Sequence, residues 1–252
     1  MGVKNGLTPR QSPGASVFQT GDTWHLEIPA GPADYKYRLA QLDDYSSVSR
    51  KHYPHASPWT LELSARVSAV DLPGTWGFGL WNDPFSFQIG SGDTPWRLPC
   101  LPNAAWFFHA SQPNWLSIHA DVPPNGFFAG TVASSGIPSL LLAPGLMAIP
   151  FLKIRPFSRL LRRLAARFIQ QTGVPLSQEV TNWHHYSISW LRESLEFSMD
   201  SERVLHSTFT PASRLGVVVW IDNQYAAWHT DGSIGIGTLA NPPVWLEIKI
   251  ER

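Results

Sequence analysis

Asp222 has the most unusual setting of any ionisable residue in the chain. In Val217-Val218-Val219-Trp220-Ile221-Asp222-Asn223-Gln224-Tyr225 an acid closes a strongly apolar run. A carboxylate in or beside a buried strand needs a partner or a raised pKa, and such acids serve structural pairing and proton transfer alike. Asn223 and Tyr225 follow as candidate ligand contacts. A second polar cluster, Trp81-Asn82-Asp83-Pro84-Phe85, reads either as a turn whose Asn and Asp bond local backbone or as a ligand contact built from Trp81, Asn82 and Asp83. His109 sits after Trp106, Phe107 and Phe108, where an imidazole is either a hydrogen-bonded core group or a proton carrier.

Other chemistries find less support. His184 and His185 are adjacent and so point to opposite faces of a strand, and His52/His55 makes no familiar metal spacing. Asp222 and Asn223 alone are too sparse for calcium. No metal and no cofactor are expected. Cys100 is the single cysteine, which rules out an internal disulfide framework. Phosphate-binding, dinucleotide-binding and nucleophile-elbow motifs are missing; the glycines of Gly232–Gly237 lack the strand-to-helix context.

The elements that must position these residues read as β structure. Twelve Trp, thirteen Phe, nineteen Gly and twenty-two Pro suit short strands punctuated by turns. Strand-like runs occur at Thr23–Ile28, Trp59–Val67, Thr75–Trp81, Phe85–Ile89, Ala104–His109, Trp115–Ala120, Gly126–Thr131, Tyr186–Leu191, Ser194–Met199, Val204–Thr210, Leu215–Asp222 and Val244–Ile250. Trp59–Val67 and Trp245–Ile250 alternate apolar and polar residues, as strands with one dry face do. A dozen short strands predict an all-β sandwich or barrel. Residues 1–20 read as a flexible N-terminal segment and 21–252 as one β-sandwich domain.

One segment departs from this pattern. From Val122 to Ser177 there is no Asp or Glu, yet Lys153, Arg155, Arg159, Arg162, Arg163 and Arg167 all fall within it. The balance of 19 basic against 19 acidic residues therefore hides a +6 segment on a −6 remainder. Residues 137–173 form an apolar then basic insertion; its prolines, Pro138, Pro144 and Pro150, break any spanning helix. A helix is expected over about 156–171, with Phe157, Leu160, Leu161, Leu164 and Phe168 on one face. That stripe either packs on the sandwich, leaving solvated arginines, or enters a membrane interface beside them. The neutral total argues against nucleic acid as a partner. The N-terminus lacks the apolar run of a signal peptide, so a cytoplasmic protein, free or peripheral to a membrane, is expected.

Several phrases together resemble the concanavalin A-like lectin/glucanase superfamily, and distantly family 16 glycoside hydrolases. They are Leu61–Val67 with Gly74-Thr75-Trp76-Gly77-Phe78-Gly79-Leu80-Trp81, then Trp183-His184-His185-Tyr186-Ser187-Ile188-Ser189-Trp190 with Leu195-Glu196-Phe197-Ser198-Met199-Asp200, and the closing Val244–Glu251. The resemblance implies a jelly-roll sandwich of two curved antiparallel sheets with ligands on the concave face. Those hydrolases carry an E-x-D-x-x-E motif on one strand, because retaining hydrolysis needs two carboxyl groups about 5–5.5 Å apart. The matching run here, Ala104-Ala105-Trp106-Phe107-Phe108-His109-Ala110-Ser111, holds none.

Two functions are compatible with these observations. In one, Trp76, Phe78, Trp106, Phe108 and Trp220 wall an aromatic cleft for an apolar or amphipathic small molecule. His109 and Asp222 would then supply acid–base chemistry such as cyclisation, isomerisation or hydration, and Arg159, Arg162, Arg163 and Arg167 a lid or membrane contact. In the other, the protein is a carbohydrate-binding relative or divergent glycosidase, its carboxylates drawn from elsewhere, for example Asp83 and Asp222.

Overall fold

The computed structural model describes residues 6–34, 36–84, 97, 99–137, 142 and 149–251. Two seven-stranded antiparallel sheets pack face to face as a jelly-roll sandwich. The first runs in the order β1 (Thr8–Gln11), β4 (Leu39–Asp43), β13 (Gly216–Asp222), β6 (Thr75–Trp81), β7 (Ala104–Ala110), β8 (Gly126–Ser134), β9 (Ile169–Pro175). The second runs β12 (Glu202–Ser207), β11 (Leu195–Met199), β10 (His184–Trp190), β5 (Trp59–Val67), β16 (Val244–Ile250), β3 (Thr23–Ile28), β2 (Ser16–Thr20). A separate hairpin joins β14 (Gln224–Trp228) to β15 (Ile234–Thr238).

Period-two alternation explains the second sheet. Leu61, Leu63, Ala65 and Val67 of β5 are buried while Thr60 and Glu62 are exposed, and Val244, Leu246, Ile248 and Ile250 of β16 behave alike. Their apolar face meets Trp76, Phe78, Leu80, Phe107, Val217, Val219 and Ile221 from the first sheet in one continuous core. Strand β13 is buried along its whole length. Its inner residues enter that core, and Val218 and Trp220 join a second apolar cluster on the outer side of the sheet. Burial on both faces accounts for its unbroken apolar run.

The structure differs from the sequence expectation at several elements. Residues 8–11 and 16–20, expected within a flexible segment, form β1 and β2 at sheet edges, pairing with β4 and β3. The expected strand at Trp115–Ala120 makes only an isolated bridge, Trp115 with Ala227. Phe85–Ile89 lies outside the described residues. The helix, α1, spans Arg155–Phe168 rather than reaching 171, because Ile169–Pro175 is drawn into the sheet edge opposite β8.

Candidate functional site

Alternation along β6 decides which residues face the outer side of the first sheet. Trp76, Phe78 and Leu80 point into the sandwich core, so Trp76 and Phe78 are core residues and not walls of a cleft. Thr75, Gly77, Gly79 and Trp81 face outward. The register aligns Gln41, Trp220, Gly77, Phe108 and Phe128 in one outward row across five strands; Asp43, Val218, Gly79, Trp106 and Gly130 form the next.

The two glycines make room for the rings beside them. A Cβ on Gly77 would lie 2.9 Å from the Trp220 indole, and one on Gly79 2.7 Å from Trp106 Cβ. Over this trough the rings form a connected layer. Trp220 is 5.2 Å from Phe108, 6.1 Å from Trp106 and 6.4 Å from Trp81, the last nearly parallel at 9°. Trp106 is 5.2 Å from Phe108 and 6.3 Å from Trp81. Centroid distances of this order are those of favourable offset and tilted aromatic pairs. Trp220 and Phe108 are only 8% and 6% exposed, whereas Trp81 and Trp106 are partly exposed.

Asp222 closes one end of this layer. Its Oδ1 accepts hydrogen bonds from Thr75 Oγ1 at 2.9 Å, Thr75 N at 3.2 Å and Gln224 N at 3.1 Å, and its Oδ2 accepts one from Tyr37 Oη at 3.0 Å. Thr75 Oγ1 in turn accepts from Trp220 Nε1 at 2.9 Å, so the acid, the threonine and the indole form one chain. Burial pushes the carboxyl up to about 6, against these hydrogen bonds, which favour its charged form. Tyr37 and Thr75 were not predicted as site residues. Tyr37 lies 185 residues from Asp222 in sequence, and no local motif marks the contact.

At the opposite rim the polar groups are committed to structure. Asn82 donates through Nδ2 to the Leu101 carbonyl at 2.8 Å, and its Oδ1 accepts from Asn103 N at 2.9 Å. Asp83, in the left-handed region at φ 47°, accepts from Arg97 Nη1 at 2.5 Å. Arg97 Nη2 also donates to the carbonyls of Tyr45, Ser46 and Val48, and its guanidinium lies over the rings of Tyr45 and Tyr53. Asn223 is likewise internal: it accepts from Arg38 N at 2.8 Å and donates to the carbonyls of Lys36 and Leu239. Tyr225 lies on the β14–β15 hairpin with its ring against Gly235 and Gly237.

His109 stands on the other face of the sheet from Asp222. It pairs in register with Trp76, stacks on that core indole at 5.6 Å, and donates from Nε2 to the Leu72 carbonyl at 3.2 Å. Burial lowers its pKa. The two residues expected to share acid–base work are therefore separated by the sheet itself. His109 instead lines a cavity of about 370 Å³ at the end of the sandwich with Asp71, Ser111, Gln112 and Asn125.

The four arginines do not act as a group. Arg162 turns inward and donates to the Ser117 carbonyl at 2.9 Å, while Arg159, Arg163 and Arg167 are exposed. Elsewhere histidines pair with single acids, His184 with Asp200 and His55 with Asp44, each at 2.6 Å. Among the described residues no three His, Cys, Asp or Glu side chains group as metal ligands would.

No protein-family model matches the chain, and no curated protein matches it. Among solved structures it is similar to a glycoside hydrolase family 16 endo-glucanase from Bacteroides ovatus, at 12% identity and a TM-score of 0.48 over 98% of this chain and 95% of that one. It is similar to a glycoside hydrolase family protein from Mycobacterium thermorestibile at 14% identity and 0.48, over 93% and 79% of the two chains. An endo-beta-1,4-glucuronan lyase from the fungus Trichoderma reesei follows at 13% and 0.42, over 98% and 87%. Similarity at this level assigns no activity.

Proposed function

We propose that the outer face of the first sheet is a saccharide-binding platform without hydrolytic chemistry. The observation that carries this reading is the aromatic layer itself: Trp81 and Trp106, both partly exposed, adjoin the buried Trp220 and Phe108. Apolar ring surface edged by a few fixed polar groups is the usual make-up of a small-ligand site. Gln41, Asp43, Thr75 and Asp222 are among the polar groups on that face.

Carboxylate spacing supports binding over hydrolysis. Asp43 stands opposite Val218, four residues along β13 from Asp222, which places the two acids roughly 13 Å apart. Glycosidic cleavage uses pairs about 5–5.5 Å or about 6.5–9.5 Å apart. Asp83, the other acid weighed for such a pair, is held by Arg97. The test is a glycan array probed with wild type and Trp106→Ala. Binding to a defined oligosaccharide class that falls at least about tenfold in the variant supports the reading; a blank array contradicts it.

A second reading is favoured by Asp222 alone, whose carboxyl at about 6 suits proton transfer near neutral pH. In that reading an apolar or amphipathic ligand lies on the same rings, with Asp222 as the sole acid–base group. A hydrophobic compound found by mass spectrometry of the purified protein, together with a blank array, would select it.

A further inference from the structure

The rotation of α1 is the reverse of what a core-packing helix adopts. Its polar side faces the protein: Ser158 is fully buried and Arg162 is 5% exposed. Ser158 Oγ accepts from Trp228 Nε1 at 2.9 Å, Arg162 Nη2 donates to the Ser117 carbonyl at 2.9 Å, and Arg159 Nη2 donates to the Asp231 carbonyl at 3.1 Å. Gly232, at φ 86°, seats the hairpin turn against the first turn of the helix, where a Cβ would lie 2.3 Å from the Arg155 carbonyl oxygen. These contacts fix which way the helix faces.

The apolar side is consequently left outside. Leu160, Leu164 and Phe168, four residues apart, are 53%, 37% and 44% exposed, and Ile149, Phe151 and Ile154 just before the helix are 51–53% exposed. These six are half of the twelve exposed large hydrophobic side chains among the described residues, and all fall within twenty consecutive positions. Concentration of this kind marks an interaction surface, unlike scattered exposed side chains. A second row, Arg159, Arg163 and Arg167, runs beside the first one residue earlier, and Lys153 and Arg155 are exposed as well. No acid interrupts the segment from residue 122 to 177.

We propose that this face docks the protein on an anionic lipid bilayer. A helix of 14 residues is about 21 Å long and lies in the interface rather than crossing it. No helix among the described residues is long and apolar enough to span. Uniformly positive charge matches anionic headgroups, and the neighbouring Leu/Phe row matches the shallow acyl boundary beneath them. The residues involved are distinct from those of the aromatic layer, so the proposal stands apart from the saccharide reading.

The test is sedimentation of the full chain with vesicles of phosphatidylcholine alone and of phosphatidylcholine mixed with phosphatidylglycerol. Wild type should pellet with the anionic vesicles, remain in solution with the neutral ones, and be released by high salt. Leu160→Ser/Leu164→Ser/Phe168→Ser and Arg163→Glu/Arg167→Glu should each reduce binding at least about tenfold. Circular dichroism must confirm that both variants keep the β-rich spectrum; if either unfolds, the single changes Leu164→Ser and Arg163→Glu replace it, each with a smaller loss expected. Wild type left in solution with anionic vesicles overturns the proposal. So does equal binding by a folded charge-reversed variant, or a concentration-dependent dimer abolished by the serine variant, which would make the face a contact between copies.

Discussion

At the residue scale, Asp222 combines four hydrogen-bond donors with near-complete burial, and the desolvation outweighs the donors. Its pKa is raised from 3.8 to about 6, so the folded protein holds a proton that the unfolded chain has released between those values. Stability contributed by this group is therefore present below about pH 4 and lost as pH rises towards 6. The shift corresponds to about 3 kcal/mol. Asp222→Asn should remove that loss, and urea unfolding at pH 8 should give a variant at least as stable as wild type. Gly77→Ala acts in the opposite direction. The added methyl would meet the Phe107 carbonyl oxygen at 2.5 Å and the Trp220 ring at 2.9 Å. Overpacking of this kind costs about 1–3 kcal/mol. Urea denaturation should show a lower midpoint, and tryptophan fluorescence should report a displaced indole.

At the element scale, what could be read from the sequence was set by local periodicity. The alternation of β5 and β16 gave their core faces directly, because one polar and one apolar residue repeat along each. In β6 and β7 both faces are apolar, one against the second sheet and one in the aromatic layer. Composition alone therefore could not separate Trp76 and Phe78 from Trp81, or Phe108 from His109. Register with neighbouring strands was needed, since a shift of one residue exchanges the faces. The helix was ambiguous for a different reason: its Phe/Leu row fits a core stripe or an outer face, and the choice depends on Ser158 and Arg162, whose polar partners Trp228 and Ser117 no sequence window contains. The Asp83–Arg97 pair is a similar long-range contact. Arg97→Ala should strip Asp83 of its cation and three carbonyls of their donor, lowering stability by about 3–5 kcal/mol. Arg97→Lys should restore little of it, because one ammonium cannot reproduce the planar fork. Chemical denaturation of both variants checks this.

At the scale of the whole molecule, the first sheet has two different faces. The second sheet covers one of them, and the other carries the aromatic layer. Asp222 and His109, both buried, lie on its opposite faces and respond oppositely to pH. His109 has a lowered pKa, so its contribution to stability is lost as pH falls through the ordinary histidine range, whereas protonation of Asp222 stabilises the fold below about 6. In wild type the two slopes oppose each other where they overlap, below the ordinary histidine range. Asp222→Asn should expose the histidine slope as a steeper acid-induced loss, visible in thermal unfolding across that range. Asp222→Asn/His109→Phe should flatten it.

A sugar resting on the outer aromatic layer of the first sheet is the reading on which the proposed function depends. The most direct measurement is a crystal structure of the protein with the oligosaccharide that binds best on an array. The account predicts sugar rings lying on the faces of Trp81 and Trp106, within reach of the Asp222–Thr75 end of the layer. Sugar density confined to the cavity beside His109, with the tryptophan faces bare, would contradict it.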